Sequence, residues 1–184
     1  PYLLFGLIPG SDVATNMLKV QASATGYLPV GRSVVLALSL RGGRVYSLDS
    51  TSQTIGPKRF FLGGATTMRG AADDELIPED LRSAYLDQVR ACNGSLSGLG
   101  CSDVGRSVVS GNPPISDGGE AFVLVKAELR VVLRGSVEAG FFLDAGNLWL
   151  SPGNASLADL RLHAGFGLRF VTPIGPAALD IGFN

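Results

Sequence analysis

The sequence predicts an all-β protein: an antiparallel transmembrane β-barrel of about six or seven strands, too few to close alone. Three observations predict it. Apolar and polar residues alternate with period two through one segment after another. Several segments reach or exceed the ~9–11 residues that a tilted membrane strand needs, against ~5–6 for ordinary soluble strands. The connections alternate between short turns and long loops, as in a barrel with one turn-lined end and one loop-lined end.

The segments run in order along the chain. A first strand lies near Tyr2 to Ile8. From Met17 to Leu28, Leu18, Val20, Ala22, Ala24 and Leu28 oppose Lys19, Gln21, Ser23, Thr25 and Tyr27. From Ser33 to Tyr46, Val34, Leu36, Leu38 and Leu40 oppose Ser33, Ser39 and Arg41. From Glu120 to Leu133, Ala121, Val123, Val125, Ala127, Leu129, Val131 and Leu133 oppose Glu120, Lys126, Glu128 and Arg130. From Ser136 to Trp149, Val137, Ala139, Phe141, Leu143 and Ala145 oppose Glu138 and Asp144. From Leu160 to Val171, Leu160, Leu162, Ala164, Phe166, Leu168 and Phe170 oppose Arg161, His163, Gly165, Gly167 and Arg169. Finally Leu179, Ile181 and Phe183 oppose Asp180 and Asn184. A helix would scatter these sets around its circumference, whereas a strand sends successive side chains to opposite faces.

Pro29 to Arg32, Arg134 to Gly135 and Pro173 to Pro176 read as short turns, expected in the periplasm. Pro9 to Asn16, Ser47 to Gly119 and Ser151 to Asp159 read as longer loops, expected outside the cell. Period two alone fits a soluble sandwich as well, with its apolar face packed inside. Strand length, loop alternation and small residues mixed into the apolar face favour the barrel. The Leu/Val/Phe face is then expected to meet lipid and the charged face an enclosed lumen.

Bulk properties agree. The 184 residues suffice for one domain, taken as 1–184. Mean hydropathy is +0.28 with 17% charged residues, below the roughly one quarter of a soluble domain. A net charge of −1 gives no electrostatic footprint for nucleic acid. No run approaches the ~20 apolar residues of a transmembrane helix. The chain begins at Pro1 and shows no signal peptide.

Enzyme and cofactor chemistry lacks its residues. His163 is the single histidine and sits in a lumen-facing strand slot. Gly94-Ser95-Leu96-Ser97-Gly98 has Leu where a nucleophile elbow has Ser, and Gly165-Phe166-Gly167 lacks a following helix. The acidic group Asp73, Asp74, Glu75, Glu79 and Asp80 reads as a solvated loop, with cation binding as its alternative. Cys92 and Cys101 lie in a polar stretch without a second ligand pair for zinc. A disulfide in an oxidising compartment is the expected state, two free thiols the alternative.

Residues 47–119 are too long for an idle connection. They contain Lys58-Arg59-Phe60-Phe61-Leu62-Gly63-Gly64, then Ala65 to Thr67 and Met68-Arg69-Gly70. Gly63 and Gly64 permit positive φ and close backbone packing. Arg69, set among small residues, would need carboxylate partners if delivered into a narrow lumen. Glu128 and Asp144 are the lumen-facing candidates, although each has cationic neighbours of its own in Lys126, Arg130 and Arg169.

The run RFFLGGATTMRG resembles the loop-six signature of the BamA/TamA outer-membrane assembly superfamily. FFLDAGNLW resembles a following strand and GFGLRFVTPIGPAALDIGF the penultimate hairpin of those barrels. With AFVLVKAELR, the likeness covers roughly residues 58–184. It implies the C-terminal part of a bacterial outer-membrane barrel. Loop six, with Arg59, Phe60, Gly63, Gly64, Arg69 and Gly70, would fold into the lumen, where Arg69 pairs with Glu128 and Asp144. A cysteine pair in the distal part of this loop also has a parallel there.

The implied function is insertion or translocation of other proteins, without enzymatic activity or cofactor. The implied partners are outer-membrane lipids, unfolded client proteins, and accessory lipoproteins or periplasmic proteins. A barrel anchoring an enzyme such as a patatin-like lipase, or a passive pore, are the competing readings. Two departures stand out. Ala71 replaces the family's aromatic after Arg-Gly. The chain also ends at Asn184, where the family makes one more turn and a final strand, so a fragment is expected.

Overall fold

The computed structural model describes residues 2–6, 15–49, 54–92, 101–103, 105, 107, 116–172 and 175–184. Seven strands form one antiparallel sheet in chain order. They are β1 (Tyr2–Gly6), β2 (Thr15–Gly31), β3 (Val34–Ser47), β4 (Ala121–Arg134), β5 (Val137–Trp149), β6 (Arg161–Thr172) and β7 (Gly175–Phe183). β2 to β6 are 17, 14, 14, 13 and 12 residues long. Each exceeds the ~9–11 residues of a tilted membrane crossing.

The strand boundaries differ from the sequence reading chiefly at two places. β2 runs through Pro29 to Gly31, because a bulge between Pro29 and Gly31 absorbs the irregularity. Proline lacks the N–H that a regular ladder needs, and a bulge is where a strand tolerates it. β7 begins at Gly175, within the stretch read as a turn, and pairs back to Thr172. β1 ends at Gly6; Ile8 and Pro173 lie outside the described residues, as does the segment 94–98.

Burial runs opposite to that of a soluble sandwich. Leu162, Phe141 and Leu179 on the apolar face are 62%, 56% and 66% exposed. Glu128, Asp144 and His163 on the other face are 7%, 0% and 5% exposed. No second sheet covers the Leu/Val/Phe side among the described residues, as expected for a barrel wall whose outer side meets lipid.

The inner face is not uniformly polar. Met17, Val45, Phe60, Leu62, Met68, Leu76, Phe122, Leu124 and Leu148 form one buried cluster between residues 60–76 and the loop-lined ends of the strands. Phe122 and Leu124 share their parity with Lys126 and Glu128. The inner face is therefore apolar toward the loops and ionic toward mid-sheet.

The long connection also contains a helix that the sequence reading had as open loop, α1 (Glu79–Ala91). Pro78 precedes it, Glu79 and Asp80 occupy its first turn and Arg90 its last. That charge order complements the helix dipole.

Candidate functional site: the Arg69 clasp

The connection between β3 and β4, the loop six of the resemblance, is first fixed at its stem. Phe60 and Gly119 exchange backbone hydrogen bonds of 2.8 Å in both directions. The Phe60 ring lies 4.7 Å from that of Phe122, with Lys19 Nζ 4.1 Å from its centroid. Lys19 Nζ also donates to the carbonyls of Lys58 and Arg59, at 2.9 and 3.1 Å. Arg59 itself stays at the stem, donating through Nη1 to the Asp117 carbonyl at 3.1 Å.

The Gly-Gly turn then reverses the chain. Gly63 and Gly64 have φ of +126° and +86°, values that L side chains rarely adopt. The Thr67 hydroxyl accepts from the Gly63 N–H at 2.8 Å and donates to the Gly63 carbonyl at 2.5 Å. The Gly64 N–H donates to the Ala71 carbonyl at 3.0 Å. Met68 is then fully buried in the apolar cluster, and Arg69 points to the ionic half of the sheet.

Arg69 meets three strands at once. Its Nε and Nη2 donate to Asp144 Oδ2 and Oδ1 on β5 at 2.9 and 2.8 Å, and its own backbone N–H reaches Oδ2 at 3.1 Å. Its Nη1 donates to Glu128 on β4 at 2.7 Å and to Asp180 on β7 at 3.3 Å. The guanidinium carbon sits 3.7 Å above the centre of the Phe142 ring. A planar, forked cation suits this task, since it can satisfy one carboxylate bidentately and still donate to others.

The surrounding strands are shaped for this group. Lys126, Asp144 and His163 face one another across β4, β5 and β6, and Glu128, Phe142 and Gly165 form the next row. A Cβ on Gly165 would collide with the Phe142 ring, so the glycine leaves the space that the ring occupies beneath Arg69. His163 Nδ1 lies 3.0 Å from the Arg69 carbonyl. A carbonyl only accepts, so the Nδ1 proton is the donor in this contact.

Sequence reading left open whether Glu128 and Asp144 serve Arg69 or their own neighbours; the geometry has them do both. Glu128 also accepts from Arg130 Nε and from Arg169 Nη2, the latter at 2.8 Å, and Lys126 Nζ lies 3.7 Å from Asp144. Arg169 reaches Asp180 at 3.3 Å as well. Four cations (Arg69, Lys126, Arg130 and Arg169) thus interleave with three carboxylates (Glu128, Asp144 and Asp180). Asp180, Phe142 and Thr67 were missed as parts of the site. Asp180 carried a signal, since it is the charged member of its alternating segment.

The acidic group is largely engaged rather than solvated. Glu75 accepts from the Ala72 N–H at 2.7 Å. Glu79 and Asp80 bind Arg161, Asn147 and two backbone N–H groups. Beyond the helix, the sulfurs of Cys92 and Cys101 are bonded at 2.11 Å. Ala71 packs on the apolar cluster and borders a cavity of about 790 Å³ between α1 and β6.

Comparison with known proteins agrees with this architecture. Residues 4–184 match the family model described as the Omp85 superfamily domain. A SAM50-like protein of Schizosaccharomyces pombe (strain 972 / ATCC 24843) is 35% identical over 80 residues, which are 44% of this chain and 16% of that protein. The crystal structure of BamA from Haemophilus ducreyi lacking POTRA domains 1–3 shares the fold, with a TM-score of 0.64 at 20% identity. That match covers 95% of this chain and 32% of the BamA chain. The chain therefore spans less than a third of these relatives, and belongs to the Omp85 superfamily of integral outer-membrane β-barrel proteins.

Proposed function

We propose that this chain is the C-terminal part of a bacterial outer-membrane barrel that inserts or translocates other proteins, and that it works without catalysis. Residues 47–119 are its extracellular loop six, and lipid bathes the Leu/Val/Phe face. Its partners are unfolded outer-membrane or secreted clients, with accessory lipoproteins or periplasmic proteins assisting. The Arg69 clasp carries this reading. A loop residue so deeply tied to β4, β5 and β7 braces the barrel wall from within, leaving strand edges free to pair with a client strand. The apolar cluster between loop six and the sheet weighs against a passive pore, because it fills the inner face where an open channel would hold water.

The test is complementation of a depletion strain by the intact protein carrying Arg69→Ala. Client insertion and growth are expected to fall, and heat-modifiable migration of the variant to weaken. Full growth with wild-type migration would overturn the proposal.

A further inference from the structure

Beyond its stem and Arg69, loop six is held again at Glu79 and Asp80, where α1 begins. Glu79, the first residue of α1, accepts from Arg161 Nη2 and Nε at 2.8 and 3.2 Å and from Asn147 Nδ2 at 2.9 Å, all at Oε2. Its other oxygen accepts from Arg82 at 3.3 Å. Arg161 Nη2 also donates to the Ile77 carbonyl at 2.6 Å, so one guanidinium grips loop six through both backbone and side chain. Asp80 takes the next two donors: the Leu150 N–H reaches Oδ1 at 2.9 Å, and the Ser151 N–H reaches Oδ2 at 2.6 Å.

These contacts join α1 to two stretches about 70 and 82 residues further along the chain. α1 belongs to loop six. Asn147, Leu150 and Ser151 lie at the end of β5 and the start of the loop after it. Arg161 opens β6, two positions before His163, which bonds the Arg69 carbonyl. Inner-face residues of one strand thus reach both holding points.

We propose that Glu79, Asp80 and Arg161 are positioning residues that form a second clasp, fastening α1 to the loop-lined ends of β5 and β6. The two clasps have different strengths. Asp144 at the first is fully buried, whereas the Glu79 and Arg161 side chains are each about one-fifth exposed. Solvent weakens such an ion pair. The second clasp therefore opens first, and α1 lifts from β6 while Arg69 stays in place. This inference rests on the barrel architecture and not on the assembly reading.

The test measures amide exchange in Glu79–Ala91 in the full-length protein held in lipid nanodiscs. Compared are the wild type, Glu79→Gln with Asp80→Asn, Arg161→Glu alone, and Arg161→Glu with Glu79→Arg. The first two variants are expected to exchange roughly five- to thirtyfold faster in α1, the factor that one to two lost contacts of this kind produce. Heat-modifiable migration stays as in wild type, because the Arg69 clasp is untouched. The charge-reversed pair is expected to return most of the way to wild type, a rescue that a merely structural loss would not show. Wild-type exchange in folded variants, no rescue by the reversed pair, or loss of heat-modifiable migration in the first variant would each overturn the proposal. If the proposed assembly function fails while these exchange changes appear, the clasp stands without it.

Discussion

Gly70 of loop six and Gly182 of β7 meet backbone to backbone: a Cβ on Gly182 would stand 2.6 Å from the Gly70 nitrogen and 2.8 Å from its Cα. Gly70 also has φ of +92°. The residue after Arg69 is thus pressed against the inner face of β7, within reach of Asp180. The Gly182→Ala variant is expected to push loop six off the sheet, at an overpacking cost of about 1–3 kcal/mol. The temperature at which heat-modifiable migration is lost should fall in the intact protein. Gly26→Ala, where an added Cβ meets nothing within 4 Å, should leave it unchanged. Equal transitions in the two variants would contradict the close approach.

Removing the Arg69 side chain does not strand its partners equally. Glu128 keeps Arg130 and Arg169, whereas among the described residues Asp144 keeps only Lys126, at 3.7 Å, as an ion-pair partner. A fully buried carboxylate that loses its bidentate cation costs about 3–5 kcal/mol. The Arg69→Ala variant should therefore be rescued in part by Asp144→Asn, which removes the stranded charge. Arg69→Ala with Glu128→Gln should show no such relief. A double-mutant cycle on thermal stability reads the difference as non-additivity. Additive losses for the Asp144 pair would refute the unequal sharing.

What was legible in the sequence follows from which physics leaves a local trace. Strands with one face toward lipid carry apolar residues at every second position, so β2 to β6 could be read from residue parity. Arg69 among glycines and small residues was readable because a cation in such a run has to find carboxylates. The helix α1 was not read, because its first-turn Glu79 and Asp80 stand in an acidic run that also fits a solvated loop. Its first turn is held by Asn147 and Arg161, 68 and 82 residues away. The apolar inner cluster was missed for a similar reason. Phe122 and Leu124 occupy inward positions of a strand whose inward face goes on to Lys126, Glu128 and Arg130, and only the folded loop covers them. Asp180 needed the register of β7 on β6, which places it opposite Gly167 and beside Arg169.

Phe142 offers a separate handle on the clasp. Its ring fills the space left by Gly165 and presents its face to the Arg69 guanidinium, at 3.7 Å from the cation's carbon. Phe142→Leu keeps an apolar side chain there but removes the ring quadrupole. A buried cation–π contact contributes about 2 kcal/mol, and the leucine leaves part of the volume empty. The expected result is a lower thermal transition, with Phe142→Tyr closer to wild type than Phe142→Leu. If leucine and tyrosine behave alike, the ring face contributes nothing and Phe142 only fills space.

Glu79 makes the attachment of α1 sensitive to acid. Burial works to raise its carboxyl pKa, but hydrogen bonds from Asn147, Arg161 and Arg82, together with the charge of Arg161, outweigh it and hold the value below that of an ordinary glutamate. A carboxyl whose folded pKa is lowered binds fewer protons in the docked state than when α1 is released. Its contribution is complete above the undocked value of about 4.3 and declines as pH falls through the lower, docked value. Amide exchange in Glu79–Ala91, corrected for intrinsic rates, should therefore show constant protection from neutral pH to about 5 and a loss on further acidification. Other carboxylates titrate in the same range, so the comparison is with Glu79→Gln. That variant should start with weaker protection and lose less of it between pH 5 and 3. Parallel curves for the two proteins would mean that Glu79 does not couple α1 to pH.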